Sequence, residues 1–127
     1  MSLTAVFTAN AVLGVLFGIG FLLAPHAVLA AYGVGGDVVS AYLARLLGAA
    51  YIGIGLLSWR LRAEPVTGQV VALPLAIGNS LAFLAALYQA VIGAGNNLKW
   101  TTPVIFAYLA VAFWLNVSRK PAVALSH

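Results

Sequence analysis

Residues 69–93 read QVVALPLAIGNSLAFLAALYQAVIG, and this stretch decides how the chain is built. It contains no Asp, Glu, Lys or Arg. It is also longer than the ~20 residues that cross a bilayer core of about 30 Å. A strand averages about five or six residues and an ordinary globular helix about twelve, so neither matches a run of this length and polarity. The stretch predicts a membrane-spanning helix, with Pro74 placed to kink it. Asn79, Ala82, Ala86, Ala90 and Gly93 recur at steps of three and four, which puts polar and small residues on one stripe for helix contact.

Three more apolar stretches lie outward from this one, at residues 3–24, 40–59 and 101–117. With 64% hydrophobic and 6% charged residues, the chain is far from the roughly 25% charged composition of soluble domains. The expected fold class is all-α: an integral membrane four-helix bundle of up-down topology, occupying residues 1–127 as a single transmembrane domain. A signal peptide is the competing reading of the first stretch. Met1 to Thr4 carry no Lys or Arg, however, and the apolar run exceeds a signal peptide's usual core. Residues 25–39 are too apolar for a free loop and are read as an outer interfacial segment, with His26 to Tyr32 as a short interfacial helix or a re-entrant turn closed by Gly33, Gly35 and Gly36.

The net charge of +4 would suggest nucleic acid in a soluble chain. Here topology accounts for it, and no nucleic-acid partner is expected. Arg60, Arg62, Arg119 and Lys120 fall on one side of a four-pass arrangement, the side that also carries both chain ends. The positive-inside rule makes that side cytoplasmic. The absence of cysteine removes disulfides, thiolate chemistry and Cys-based metal sites. His26 and His127 have no neighbouring ligands, so no metal site and no resident cofactor are expected.

The outer half gathers most of the remaining polar groups. Arg45 lies about five residues inside the second stretch, roughly 7 Å below the outer boundary by helical rise. An Arg at that depth either snorkels to the headgroups or finds partners. Tyr88 and Gln89 lie at a similar depth in the third stretch. Asp37, two turns before Arg45, is the expected ionic partner, and His26, Asn96, Asn97 and Lys99 share that side. Arg45, Gln89, Tyr88, Asp37, His26 and Asn96 are therefore the candidate ligand-binding residues. Such a set suits a carboxylate, a phosphate or a quinone carbonyl carrying an apolar tail. Asn10 and Asn79 lie nearer the midplane and are candidates for interhelical hydrogen bonds or for lining a polar path. Asn10, Gly14 and Gly18 share a stripe that allows close helix approach.

Leu23-Ala24-Pro25, Tyr32-Gly33, Ala44-Arg45-Leu46-Leu47-Gly48-Ala49 and Gly53-Ile54-Gly55-Leu56-Leu57-Ser58-Trp59 resemble the small four-helix bacterial membrane proteins of the DoxX-like type. That resemblance implies a multi-pass protein of the bacterial cytoplasmic membrane and an association with quinone-linked oxidoreduction, and it carries over Arg45 as a site residue. The expected function is a binding or accessory membrane protein rather than an enzyme. Its partners would be the lipid bilayer, a lipid-like or quinone-like ligand, further copies of the chain or a larger membrane complex. Two alternatives are an oligomeric channel or transporter, and a membrane-embedded enzyme using His26, Asp37 and Arg45.

Overall fold

A computed structural model describes residues 2–34, 37–93 and 96–117 of the protein. Its helices are α1 (Leu3–Leu23), α2 (Pro25–Ala31), α3 (Val38–Leu61), α4 (Pro65–Val91) and α5 (Thr101–Val117), with a single 3-10 turn at Asn97–Trp100 leading into α5. The chain chemistry explains where each begins and ends. Ser2 caps α1 by accepting the Ala5 N–H, and Asp37 caps α3 by accepting the Ser40 N–H at 2.7 Å. Pro25 and Pro65 open α2 and α4, where a missing N–H costs nothing. Gly33 and Gly93 follow α2 and α4 at φ +70° and +86°, angles that L side chains rarely adopt. α4 runs through Pro74 as one element.

Four of these stretches are long and apolar enough to cross a membrane: Leu3–Leu23, Val38–Leu61, Pro65–Val91 and Asn97–Val117. Their large apolar side chains point outward, as with Leu16, Val70 and Val104 at 64%, 73% and 67% exposure, while the buried positions are mostly small. In water this distribution would be inside out. In lipid it is the expected one, because hydrocarbon solvates Leu and Val as well as a protein interior does and close backbone approach supplies the packing.

The helices associate as two antiparallel pairs. Along α1 and α3 the register runs from Thr4, whose Oγ1 donates to the Arg62 carbonyl at 3.0 Å, through the buried Asn10 Nδ2 to Ser58 Oγ bond of 2.8 Å, to Gly18 against Gly48. A Cβ built on Gly18 would lie 2.7 Å from the Gly48 carbonyl oxygen, and one on Gly55 would lie 3.1 Å from the Ala11 carbonyl oxygen. The glycines at 14, 18, 48 and 55 thus make a backbone-to-backbone seam. α4 and α5 are joined by Gln69, whose Nε2 donates to the Asn116 and Val117 carbonyls, and by Trp114 Nε1 donating to Ser80 Oγ at 2.9 Å. Gln69 thereby satisfies carbonyls that the end of α5 leaves open.

The two pairs meet in one core at the end of the molecule bearing Arg60 and Arg62. Val6, Phe7, Leu61, Ala72, Ala76, Ala112 and Phe113 form it, with the Phe7 and Phe113 rings edge to face at 5.4 Å. Arg62 stacks its guanidinium 3.8 Å from the Trp59 ring centroid there. Arg119 and Lys120 lie outside the described residues, as do Gly35, Gly36 and His127.

Candidate ligand cavity

Beyond that core the two pairs separate, and the reason is the size of the facing side chains. Past Ala76, the stripe that α4 turns inward is Asn79, Ala82, Ala86 and Ala90. Opposite stand Leu13 and Phe17 of α1 and Leu47, Tyr51 and Ile54 of α3, fixed in position by the glycine seam behind them. The α4 stripe lacks the side-chain volume to reach them. A cavity of about 750 Å³ remains, within the 300–1,000 Å³ range of small-molecule sites.

Its wall is almost wholly apolar. Asn10 and Asn79 form the polar part of the deep end, 7% and 8% exposed. Leu75 and Leu109 lie beside them, and the Phe7–Phe113 core closes the space below. From Asn79 to Gln89 the cavity follows about 15 Å of α4. The outer end carries Tyr32, Gln89, Lys99 and Thr102, with Leu29 of α2 and Val34 beyond it. Among the described residues Lys99 is the one charged group in this lining, so the outer end offers positive charge while the deep end is neutral.

A latch crosses the outer end. The Asn96 backbone N–H donates to the Tyr32 carbonyl at 2.8 Å, Asn96 Nδ2 donates to the Ala31 carbonyl at 2.9 Å, and the Tyr32 and Thr101 hydroxyls lie 3.4 Å apart. These bonds tie α2, which belongs to the first pair by sequence, to the segment between α4 and α5. Gly33 sits against the latch, its missing Cβ only 3.0 Å from the Asn96 nitrogen.

The structure distributes the residues singled out from sequence over four environments. Asn10, Asn79 and Gln89 line the cavity, and Asn96 works in the latch. Arg45, Tyr88 and His26 are exposed and absent from the lining. On α3 the cavity-facing line is Leu47, Tyr51 and Ile54, and Arg45 lies roughly 150° round the helix from it. The expected meeting of Arg45 with Gln89 and Tyr88 therefore does not occur in the cavity. Asp37 is engaged at the N-terminus of α3, and among the described residues Arg45 makes no ion pair or hydrogen bond. The Ser40 backbone N–H, first among several hydrogen bonds, holds the Asp37 carboxyl below its ordinary value.

Asn10 makes an interhelical bond to Ser58, whereas Asn79 donates to the Leu75 carbonyl of its own helix at 2.8 Å. Sequence reasoning missed Phe17, Phe21, Tyr51, Thr102 and Phe106 as lining residues. Phe17 and Phe21, one turn apart, were the only pattern that pointed to them, and an aromatic pair on a membrane helix is ordinary lipid-facing composition. Among the described residues no group of three or more His, Cys, Asp or Glu is placed to hold a metal ion.

Four apolar helices around a lipophilic cavity define a multi-pass α-helical membrane protein. Within that class, the chain belongs to the family described as a domain of unknown function, DUF8292, whose model matches residues 8–120. That match does not extend to the DoxX-like group that parts of the sequence resemble. No curated protein and no solved structure matches the chain.

Proposed function

We propose that this protein binds a membrane-soluble molecule, an apolar body with a polar end, in the cavity between its two helix pairs. The observation that carries the proposal is the cavity itself. It has about 750 Å³ of apolar-walled space ending on two nearly buried carboxamides, where a bundle built only for packing would bring side chains together. Spread over about 15 Å of depth, that volume gives a mean cross-section of about 50 Å², enough for a six-membered ring or for two hydrocarbon chains. The ligand class is lipid-like or quinone-like, and the resemblance to DoxX-like proteins points the same way. Lys99 at the outer end suits a molecule whose second polar group is anionic.

The orientation we propose places the Arg60 and Arg62 end, with both chain termini, in the cytoplasm of a bacterial cell, and the latch on the outer face. The helices then cross in up-down order. Arg45 sits on the surface near the outer boundary, where its guanidinium snorkels to lipid phosphates. The aromatic core under the cavity closes it toward the basic end, which favours binding over conduction along the bundle axis.

The experiment is mass spectrometry of the protein released from gentle detergent, comparing the natural chain with Ala86→Phe. Ala86 faces the cavity and a phenyl ring there occupies part of its volume. A small apolar molecule is expected to stay with the natural protein and to be lost from the variant, with helix content unchanged. Equal retention by both proteins would remove the cavity as the binding site.

A further inference from the structure

Asn10 and Asn79 hold unused hydrogen-bonding capacity at the deep end of the cavity. Each is more than nine-tenths buried and each lines the cavity. Each spends one amide N–H, Asn10 on Ser58 Oγ at 2.8 Å and Asn79 on the Leu75 carbonyl at 2.8 Å. Neither Oδ1 accepts a hydrogen bond among the described residues, and each amide keeps a second N–H. Both carboxamides open onto the cavity rather than being sealed in packing, the fully buried unpartnered side-chain atom among the described residues being Arg62 Nε, and in an apolar space without water they stay costly unless something in the cavity completes them.

We infer that the deep end selects a neutral hydroxyl group, so that the ligand enters hydroxyl first and leaves its hydrocarbon body between the helix pairs. This rests on the cavity being a binding site and names the chemistry it reads. A hydroxyl donates to one Oδ1 and accepts from an amide N–H, matching both unused functions. A carbonyl or an ether only accepts and leaves the Oδ1 atoms unpaired. A carboxylate or an ammonium would bring a charge to a place with no countercharge in the lining, since Lys99 lies at the other end. A plain hydrocarbon end satisfies nothing.

The test is equilibrium binding of three matched probes to the purified protein in detergent: 4-decylphenol, 4-decylanisole and decylbenzene. They share ring and chain and differ only in the terminal group. The phenol is expected to bind about tenfold more tightly than decylbenzene, with the methyl ether close to decylbenzene. Asn79→Leu is the variant of choice, because its loss breaks no bond between helices. It is expected to bring the phenol close to decylbenzene while leaving decylbenzene affinity within about twofold. Equal affinity of phenol and decylbenzene for the natural protein, with both displaced by Ala86→Phe, would overturn the hydroxyl inference and leave the binding site standing. A preference for the phenol that survives in Asn79→Leu and in Asn10→Leu would also overturn it. Binding of none of the three would overturn the site as well.

Discussion

Gly48→Ala measures how much of the fold depends on the α1/α3 seam. A Cβ at position 48 would stand 2.7 Å from both the Gly18 carbonyl oxygen and the Leu22 nitrogen, and 3.0 Å from Phe21 Cβ. Two of those three atoms are backbone, so no side-chain rotation relieves the contact. The helices must part by several tenths of an ångström to reach the 3.4 Å of ordinary contact. A gap of that order forfeits a quarter or more of each dispersion contact along the seam. Overpacking of this kind costs about 1–3 kcal/mol, and the better helix propensity of Ala returns up to about 1 kcal/mol. The net expectation is a destabilisation of about 1–2 kcal/mol.

Gly53, on the same helix, is the internal control because a Cβ there meets nothing within 4 Å. Gly53→Ala is expected to stabilise by up to about 1 kcal/mol through propensity alone. Equilibrium unfolding in mixed micelles, followed by circular dichroism as SDS replaces a mild detergent, gives both values on one scale. Gly48→Ala matching Gly53→Ala in stability would refute the seam as the element that fixes α1 against α3.

Asn10→Ala and Ser58→Ala, singly and together, are expected to show a coupling of about 1 kcal/mol in the same unfolding assay, reflecting their buried side-chain bond between α1 and α3. Gly33→Ala strains a φ of +70° and crowds Asn96, so the Asn96 amide, which donates to the Tyr32 carbonyl, is expected to exchange hydrogen faster than in the natural protein while amides in the middle of α1 are unchanged. The Asp37 carboxyl has a lowered value in the folded chain, so its stabilisation of the start of α3 is present above the unfolded value of 3.8 and lost as pH falls through the native one. The protection of the Ser40 amide relative to its intrinsic exchange rate, compared with an amide in the middle of α3, is expected to fall selectively in acid, and Asp37→Asn is expected to weaken that pH dependence.

The helices were legible because a bilayer acts on each one separately. Residues 40–59, 69–93 and 101–117 announce themselves by length and hydropathy alone, and the structure departs from those boundaries mainly by extending α3 and α4 toward the short turn between them. After Pro25 a proline start and a glycine stop mark a short element, and the structure makes it a helix rather than a re-entrant turn. Seam and cavity were not equally readable. Gly14 and Gly18 suggested close approach, yet nothing in the pattern distinguishes them from Asn79, Ala82 and Ala86, which are just as small and just as regularly spaced.

One stripe became a tight seam and the other the wall of an open space. The difference lies in what stands opposite: Gly48 and Gly55 across from the first, and helices already held back by their own seam across from the second. Arg45 illustrates the same limit. Its place along the helix follows from sequence, but its rotational position relative to the cavity depends on which face of α3 packs against α1. In lipid no hydropathy difference separates a face turned to a neighbour from one turned to acyl chains. Which segments are apolar and long enough to cross a membrane, and how they start and stop, are thus local properties of the residue order. Which faces meet, and so where the cavity lies, depends on contacts between helices that are distant in the chain.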